Sequence, residues 1–212
     1  MTVTDVNVVK SAIFERPDDA NKGTLGSLLC VCGSYGMAGA AVMSAKGALR
    51  TGIGLAKCAL PRSIYPIVAQ TILESVYYPL SENADGRISK VNVPFLVSES
   101  CKSSATLVGC GLGVCDDTLK IVFSLIENSA TPLVLDADAL NCVAKQPEIL
   151  LRKKAPIIIT PHPGEMSRLT GLATPLVNAE RERVALDFAQ KYGVVTVLKG
   201  AGTVIASPNG KE

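Results

Sequence analysis

Five short segments hold most of the residues able to hold a phosphate, position a divalent cation or contact a polar substrate. They are CGSYGMAGA at 32–40, VGCGLG at 108–113, LDADAL at 135–140, TPHPGE at 160–165 and LKGAGT at 198–203. The fourth contains the chain's single histidine, His162, between Pro161 and Pro163. A proline fixes its own φ and pushes the residue before it out of the helical region. Thr160 and His162 are therefore biased towards extended backbone. With Ile157-Ile158-Ile159 before them and GEMSRL after them, His162 is expected in a stiff connection leaving a strand and entering a helix.

Each segment has an ordinary structural explanation when taken singly. GCGLG is too short for a dinucleotide fingerprint and lies mid-chain. Asp138 would serve as a helix N-cap, Glu165 would favour the first turn of its helix, and Lys199 would be a surface lysine. No GxxxxGK[ST] is present, which excludes a P-loop enzyme. What changes the reading is that all five follow apolar, strand-like runs. In open α/β sheets ligands bind at the carboxyl ends of the strands, where glycines admit backbone and helix N-termini offer free N–H groups.

The elements that must position them can be read from hydrophobic periodicity. Strands are expected at Leu28–Cys32, Leu55–Leu60, Ile72–Tyr78, Ala105–Val108, Pro132–Leu135, Ile157–Ile159 and Val194–Leu198, with one more beginning at Thr203 to Ala206. Met37 to Arg50 reads as a helix with one side of small residues, Ala38, Ala40, Ala41, Ala45 and Ala48. Leu119, Val122, Phe123 and Ile126 recur at helical spacing, and a short helix follows DADAL. Val177, Val184, Ala185, Phe188 and Tyr192 are expected on one face of a longer helix. Ser81 to Arg87 reads as a polar turn. This alternation predicts a mainly parallel sheet covered on both faces, in one domain over 1–212.

The 212 residues are 48% hydrophobic and 19% charged, with a net charge of +2. That composition supports a globular core and gives no electrostatic reason to expect nucleic acid or an anionic membrane as partner. Tryptophan is absent and aromatics are scarce, which disfavours a base-stacking platform. No apolar run reaches membrane-spanning length, and the N-terminus has no signal-peptide pattern. The seven cysteines are odd in number and form no CxxC pair, so buried free thiols in a reducing, cytoplasmic setting are expected. One histidine and unclustered cysteines supply no zinc site.

The same segments carry a family resemblance. NKGTLGSLLCVCGSYGMAGAAVMSAKGALRTGIGLAKCALP, LVGCGLG, LVLDADALN, IITPHPGEMSRLTG and VVTVLKGAGTVIASPNG, in this order from about Asn21 onwards, resemble the ADP- or ATP-dependent NAD(P)H-hydrate dehydratases. These belong to the ribokinase-like superfamily, which implies a three-layer α/β/α fold. The implied reaction restores NADH or NADPH from its hydrate. The hydrate's hydroxyl is phosphorylated from ADP or ATP and phosphate is then eliminated, with Mg2+ bridging phosphates. On this resemblance Lys199, Gly200, Ala201, Gly202 and Thr203 contact the adenine nucleotide. Ala40, Gly113 and His162 contact the hydrated dinucleotide, and Glu165 falls on the magnesium-positioning glutamate.

The residues given end at SPNGKE, whereas the family continues into a GxGD-type turn whose aspartate is credited with activating the hydroxyl. The domain is therefore expected to be truncated at its C-terminus, and no catalytic base is assigned; Asp136 and Asp138 are the nearest substitutes. Slow turnover with retained nucleotide binding is the corresponding expectation. An uncovered sheet edge would also favour association into a homo-oligomer. Two alternatives share the segments: a ribokinase-like kinase of a small alcohol, and a nucleotide-binding fragment without catalysis.

Overall fold

The computed structural model describes residues 18–21 and 23–210; the N-terminal reading falls almost wholly on residues outside this set. One sheet of eight strands organises the chain. In sequence order these are β1 (Ser27–Val31), β2 (Leu55–Pro61), β3 (Val76–Leu80), β4 (Ala105–Val108), β5 (Leu133–Leu135), β6 (Ile157–Ile159), β7 (Val195–Leu198) and β8 (Val204–Ala206). Their spatial order is β3-β2-β1-β4-β5-β6-β7-β8. Every pairing is parallel except β7 with β8. The chain winds outwards from β1 to β3, returns to lay β4 against β1, and then winds the other way. The β1–β4 junction is thus a topological switch point, the place where open α/β sheets present ligand crevices.

The helices are α1 (Ala38–Arg50), α2 (Tyr65–Thr71), α3 (Val93–Cys101), α4 (Asp116–Asn128), α5 (Asp138–Val143), α6 (Pro163–Thr170), α7 (Thr174–Ala179) and α8 (Arg181–Tyr192). They divide between the two faces of the sheet. The larger core joins Leu29, Val31, Val108, Leu133, Leu135, Ile157, Ile159 and Leu198 to buried residues of α3 to α8 such as Leu96, Ile126, Met166 and Phe188. Each such aliphatic side chain contributes about 1.5–3 kcal/mol of transfer free energy. The smaller core is made of Cys30, Cys32, Ala56, Cys58 and Leu60 from the sheet against Ala41 and Ala45 of α1 and Val68 of α2. The small side of α1 lets that helix lie close to the strands. This is the three-layer architecture expected.

Three local readings are corrected. Ile72–Tyr78 is not one strand: Ile72 caps α2, and β3 begins at Val76. Pro66 near the start of α2 fits helix entry, but the segment is too short to show a period. The helix expected through Val177 and Val184 is two helices, α7 and α8, which break at Glu180 (φ −125°, ψ 40°). Helix α3 had no expectation. The thiols are also not uniformly buried: Cys101 is exposed and Cys110 and Cys115 are half-buried. Among the described residues no helix is long and apolar enough to cross a membrane.

Candidate functional site

Five neighbouring strands, β1, β4, β5, β6 and β7, end in the five segments singled out above. Their turns are stitched together by backbone. Gly33 N donates to the Cys110 carbonyl at 2.8 Å, Asp138 N to the Gly109 carbonyl at 3.3 Å, and Lys199 N to the Pro161 carbonyl at 2.8 Å. Gly109 is indispensable to this close approach. Its φ is +127°, and a Cβ there would lie 1.8 Å from the Asp136 carbonyl oxygen. One non-glycine residue with positive φ occurs among the described residues, Ala137 at 49°. Strain of this kind costs about 1–3 kcal/mol and is concentrated here between the two aspartates.

Lys199 and Asp136 are 63 residues apart in sequence, yet Lys199 Nζ donates to Asp136 Oδ1 at 2.7 Å. The pair bridges the ends of β7 and β5 and passes over the end of β6. Burial pushes the Asp136 carboxyl upwards, but hydrogen bonds from Lys199 and Thr160 and the lysine's charge outweigh it. The net effect holds Asp136 below the usual carboxylate value. Because the folded value is depressed, the stability it contributes is fully present above the unfolded value of about 3.9. It is lost as pH falls through the depressed folded value. Acid unfolding of Asp136→Asn should therefore show a smaller pH dependence below pH ~4 than that of the parent, measured by circular dichroism during acid titration.

His162 stands where expected, in the connection leaving β6 and entering α6. The ring caps α6: Nδ1 accepts from Gly164 N at 3.0 Å and from Glu165 N at 3.4 Å. Glu165 Oε2 in return accepts from His162 N at 2.8 Å, completing a capping box. With Nδ1 used as an acceptor, the neutral ring carries its proton on Nε2, 3.4 Å from Glu165 Oε1. The side chain is still 51% exposed, next to Pro161, whose carbonyl accepts from Lys199 N. Glu165 is buried and its Oε2 is occupied by the cap, so the first-turn role is the one its contacts show.

Asp138 is not the N-cap of α5; Ala137 is. Its carboxylate instead accepts from Gly113 N at 2.8 Å and from Asn141 Nδ2 at 3.3 Å. The space beside Gly113 is taken by Arg87, whose Nε would lie 2.4 Å from a Cβ at that position. Arg87 arrives on the 81–88 segment, held by Asn83, which accepts from the Asp85 and Arg87 amides, and by Gly86 O, which accepts from Tyr35 N at 2.8 Å. Read in the sequence as a plain polar turn, it is a flap delivering a cation to the β4 end. Ala40 lies on the other side of the crevice, where α1, Cys110, Asp136 and Thr160 line a groove of about 630 Å³.

The 199–203 turn is closed by Thr203, whose hydroxyl accepts from Gly200 N and donates to Gly200 O. Beneath it Arg181 donates to the carbonyls of Leu198 and Lys199 at 2.8 and 3.0 Å. A side chain at Gly200 would strike that guanidinium at 2.9 Å. Arg181, together with Gly202 and Val204, borders a second depression of about 700 Å³. Neither Arg87 nor Arg181 belongs to a local motif, so no sequence signal pointed to them. Lys199 contacts Asp136, which borders the first concavity, and leads into the turn whose Gly202 borders the second. The set suits two ligands meeting at a cation.

Known proteins share this sequence pattern and fold. A family model described as NAD(P)H-hydrate dehydratase matches residues 28–212. The bifunctional NAD(P)H-hydrate repair enzyme Nnr of Thermofilum pendens is 39% identical over 196 residues, 92% of this chain and 37% of that protein. The ADP-dependent (S)-NAD(P)H-hydrate dehydratase of Neisseria meningitidis is 32% identical over 197 residues, 92% of this chain and 62% of the relative. The chain therefore spans under two thirds of the length of these curated relatives. Among solved structures, the ADP/ATP-dependent NAD(P)H-hydrate dehydratase of Bacillus subtilis, co-crystallised with ATP and Mg2+, superposes with a TM-score of 0.79 at 30% identity. That match covers 96% of this chain and 68% of the other. A ribokinase-like superfamily protein from Enterococcus faecalis has a TM-score of 0.80 at 19% identity, covering 96% and 68%, and shares the fold.

Proposed function

Because the chain belongs to the NAD(P)H-hydrate dehydratase family, we propose that its crevice dehydrates hydrated NADH or NADPH at the expense of ADP or ATP. The observation that carries this reading is the Lys199–Asp136 ion pair at the strand ends, beside the first concavity and leading into the turn that borders the second. Hydroxide is a poor leaving group, and phosphorylation converts it into a good one. The hydrate's oxygen forms a bond to the terminal phosphorus while the bridging P–O bond of the nucleotide breaks. Phosphate then departs with the C–O bond and a ring proton, regenerating the double bond.

Residues of this chain supply positioning and charge, which is most of what phosphoryl transfer asks of a protein. Lys199 offers its ammonium to the phosphates, and the backbone N–H groups of Gly200, Ala201 and Gly202 with the Thr203 hydroxyl frame the nucleotide. The Nε2–H of His162 donates to the hydrated dinucleotide, which lies along Ala40 and reaches towards Gly113. Mg2+ takes one or two carboxylates together with phosphate oxygens and waters. Among the described residues no three such side chains cluster as a ready metal site; Asp136, Asp138 and Glu165 are the carboxylates of the five segments, and one or two of them would hold the ion as oxygen donors of the right class. Glu165, buried and fixed by its cap, is the one placed to hold the ion's surroundings rigid. The ion supplies charge neutralisation between phosphates when bound. Asp136, kept ionised by Lys199, is the acceptor nearest the crevice for the hydroxyl proton.

His162→Ala is expected to weaken binding of NADH hydrate at least tenfold, the scale of a lost hydrogen bond with its desolvated partner, while thermal stability falls by about 1 kcal/mol for the lost cap. Calorimetric titration of the hydrate against both proteins checks it. Equal affinity would remove His162 from the substrate site.

A further inference from the structure

Two thiols at the ends of β1 and β4 have no part in the reaction proposed above. In β1 the alternation of side chains sends Leu29 and Val31 to the larger core and Cys30 to the smaller one, and Cys32 just beyond follows Cys30. In β4 the same alternation points Val108 at the larger core, and a regular continuation would carry Cys110 there too. Gly109, with its positive φ, interrupts the alternation. Cys110 is thereby turned onto the layer that holds Cys30 and Cys32. The Gly33 N–H to Cys110 carbonyl bond clamps the two backbones where the thiols meet. Val31 pairs with Val108, so Cys110 lies one residue beyond the position level with Cys32; a strand spacing of about 4.8 Å and a rise of about 3.3 Å give a Cα separation of about 6 Å, within the roughly 4.4–6.8 Å that a disulfide spans.

The two sulfurs are chemically unequal. Cys32 is 1% exposed, and its contact with Cys110 and its burial push its thiol well above the ordinary range. Cys110 is half-buried and borders the groove beside Ala40, Asp136 and Thr160. Its sulfur lies 3.6 Å from Asp136 Oδ2. One sulfur thus borders the groove and the other lies buried behind it, the arrangement of a sensing and a resolving cysteine.

We propose that Cys110 and Cys32 form an oxidation-sensitive pair which closes to a disulfide when a hydroperoxide enters the groove, and that closure disables the ligand site the groove forms. In the first step the Cys110 thiolate attacks the peroxide oxygen and the O–O bond breaks. The products are a sulfenic acid on Cys110 and hydroxide, which takes a proton to become water. In the second step the Cys32 sulfur attacks the sulfenic sulfur, the S–O bond breaks, and the departing hydroxide leaves as water with the Cys32 proton. Two thiols and one hydroperoxide give one disulfide, with the peroxide reduced to water and, for an alkyl peroxide, an alcohol. The effect on ligands rests on the function proposed above; formation of the disulfide does not.

Hydrogen peroxide treatment followed by non-reducing tryptic mapping tests the pair. Cys32 and Cys110 fall in peptides 23–46 and 103–120, which should appear joined and short of two hydrogens. The joined species should persist in Cys30→Ala and Cys115→Ala, whose cysteines share those peptides, and vanish in Cys32→Ala and Cys110→Ala. Cys142, buried and pushed up to about 11, should remain unmodified. A joined species that survives Cys110→Ala, or oxidation confined to exposed Cys101, would overturn the proposal. Peroxide should also lower affinity for NADH hydrate at least tenfold, with recovery after dithiothreitol; a disulfide that leaves affinity unchanged would overturn the coupling. Reduced protein that never binds the hydrate would count against the proposed function instead, and the peptide map would still decide the thiol pair.

Discussion

Gly109→Ala is expected to cost more than about 4 kcal/mol, enough to leave little folded protein, since changes of that size arise from strained backbone and hard overlap. The position combines both. Its φ of +127° disfavours any side chain, and the added Cβ would sit 1.8 Å from the Asp136 carbonyl oxygen and 2.9 Å from Ala139 N. Backbone cannot yield there without parting β4 from β5, because Asp136 N is bonded to Val108 O and Asp138 N to Gly109 O. Gly36→Ala is the control. It also has positive φ, but nothing lies within 4 Å of its added Cβ, so it should cost only about 1 kcal/mol of conformational strain. Chemical denaturation of the two variants measures the difference. A Gly109→Ala protein as stable as Gly36→Ala would mean that the β4–β5 turn is far more pliable than its bonding indicates.

Lys199→Ala carries the largest expected effect on ligands. It removes the ammonium beside the first concavity and leaves the Asp136 carboxylate without its counter-charge, where an incoming phosphate meets repulsion in place of attraction. ADP affinity should drop at least tenfold, the scale of a charge-assisted contact, and more at low ionic strength, where Asp136 is less screened. The double variant Lys199→Ala, Asp136→Asn separates the two causes by restoring the share due to repulsion. Calorimetry with Mg2+ present measures all three proteins. Unchanged affinity in the single variant would detach Lys199 from the nucleotide.

How far the site could be read in advance depended on how local each signal is. The strand ends were legible because each apolar run stops at a glycine, an aspartate or a proline that the next turn requires; β4 stopping at Gly109 and β6 at Thr160-Pro161 are examples. The shared layer of α1 was legible because its small residues recur at helical spacing. Helices α2 and α3 were not, because both are brief and carry a proline at their second residue, and short apolar segments look alike as strand or helix. The Lys199–Asp136 contact joins residues from different strands, so neither segment announces the other. Arg87 and Arg181 reach the site from a flap and a helix start whose sequences look solvent-exposed. The ordinary explanation of Asp138 as a cap does not hold, because the strained Ala137 takes that position and frees the carboxylate for Gly113.

The central claim is that this crevice couples a nucleotide's phosphoryl group to loss of water from a hydrated nicotinamide. It is tested most directly in a single turnover, with protein in excess over NADH hydrate and with Mg2+ and ADP or ATP supplied. Reduced-nicotinamide absorbance should return in step with phosphate release, only when nucleotide is present, and far more slowly in Lys199→Ala. Phosphoryl transfer from the nucleotide with no return of that absorbance would contradict the claim and mark the site as that of a kinase or a simple nucleotide hydrolase.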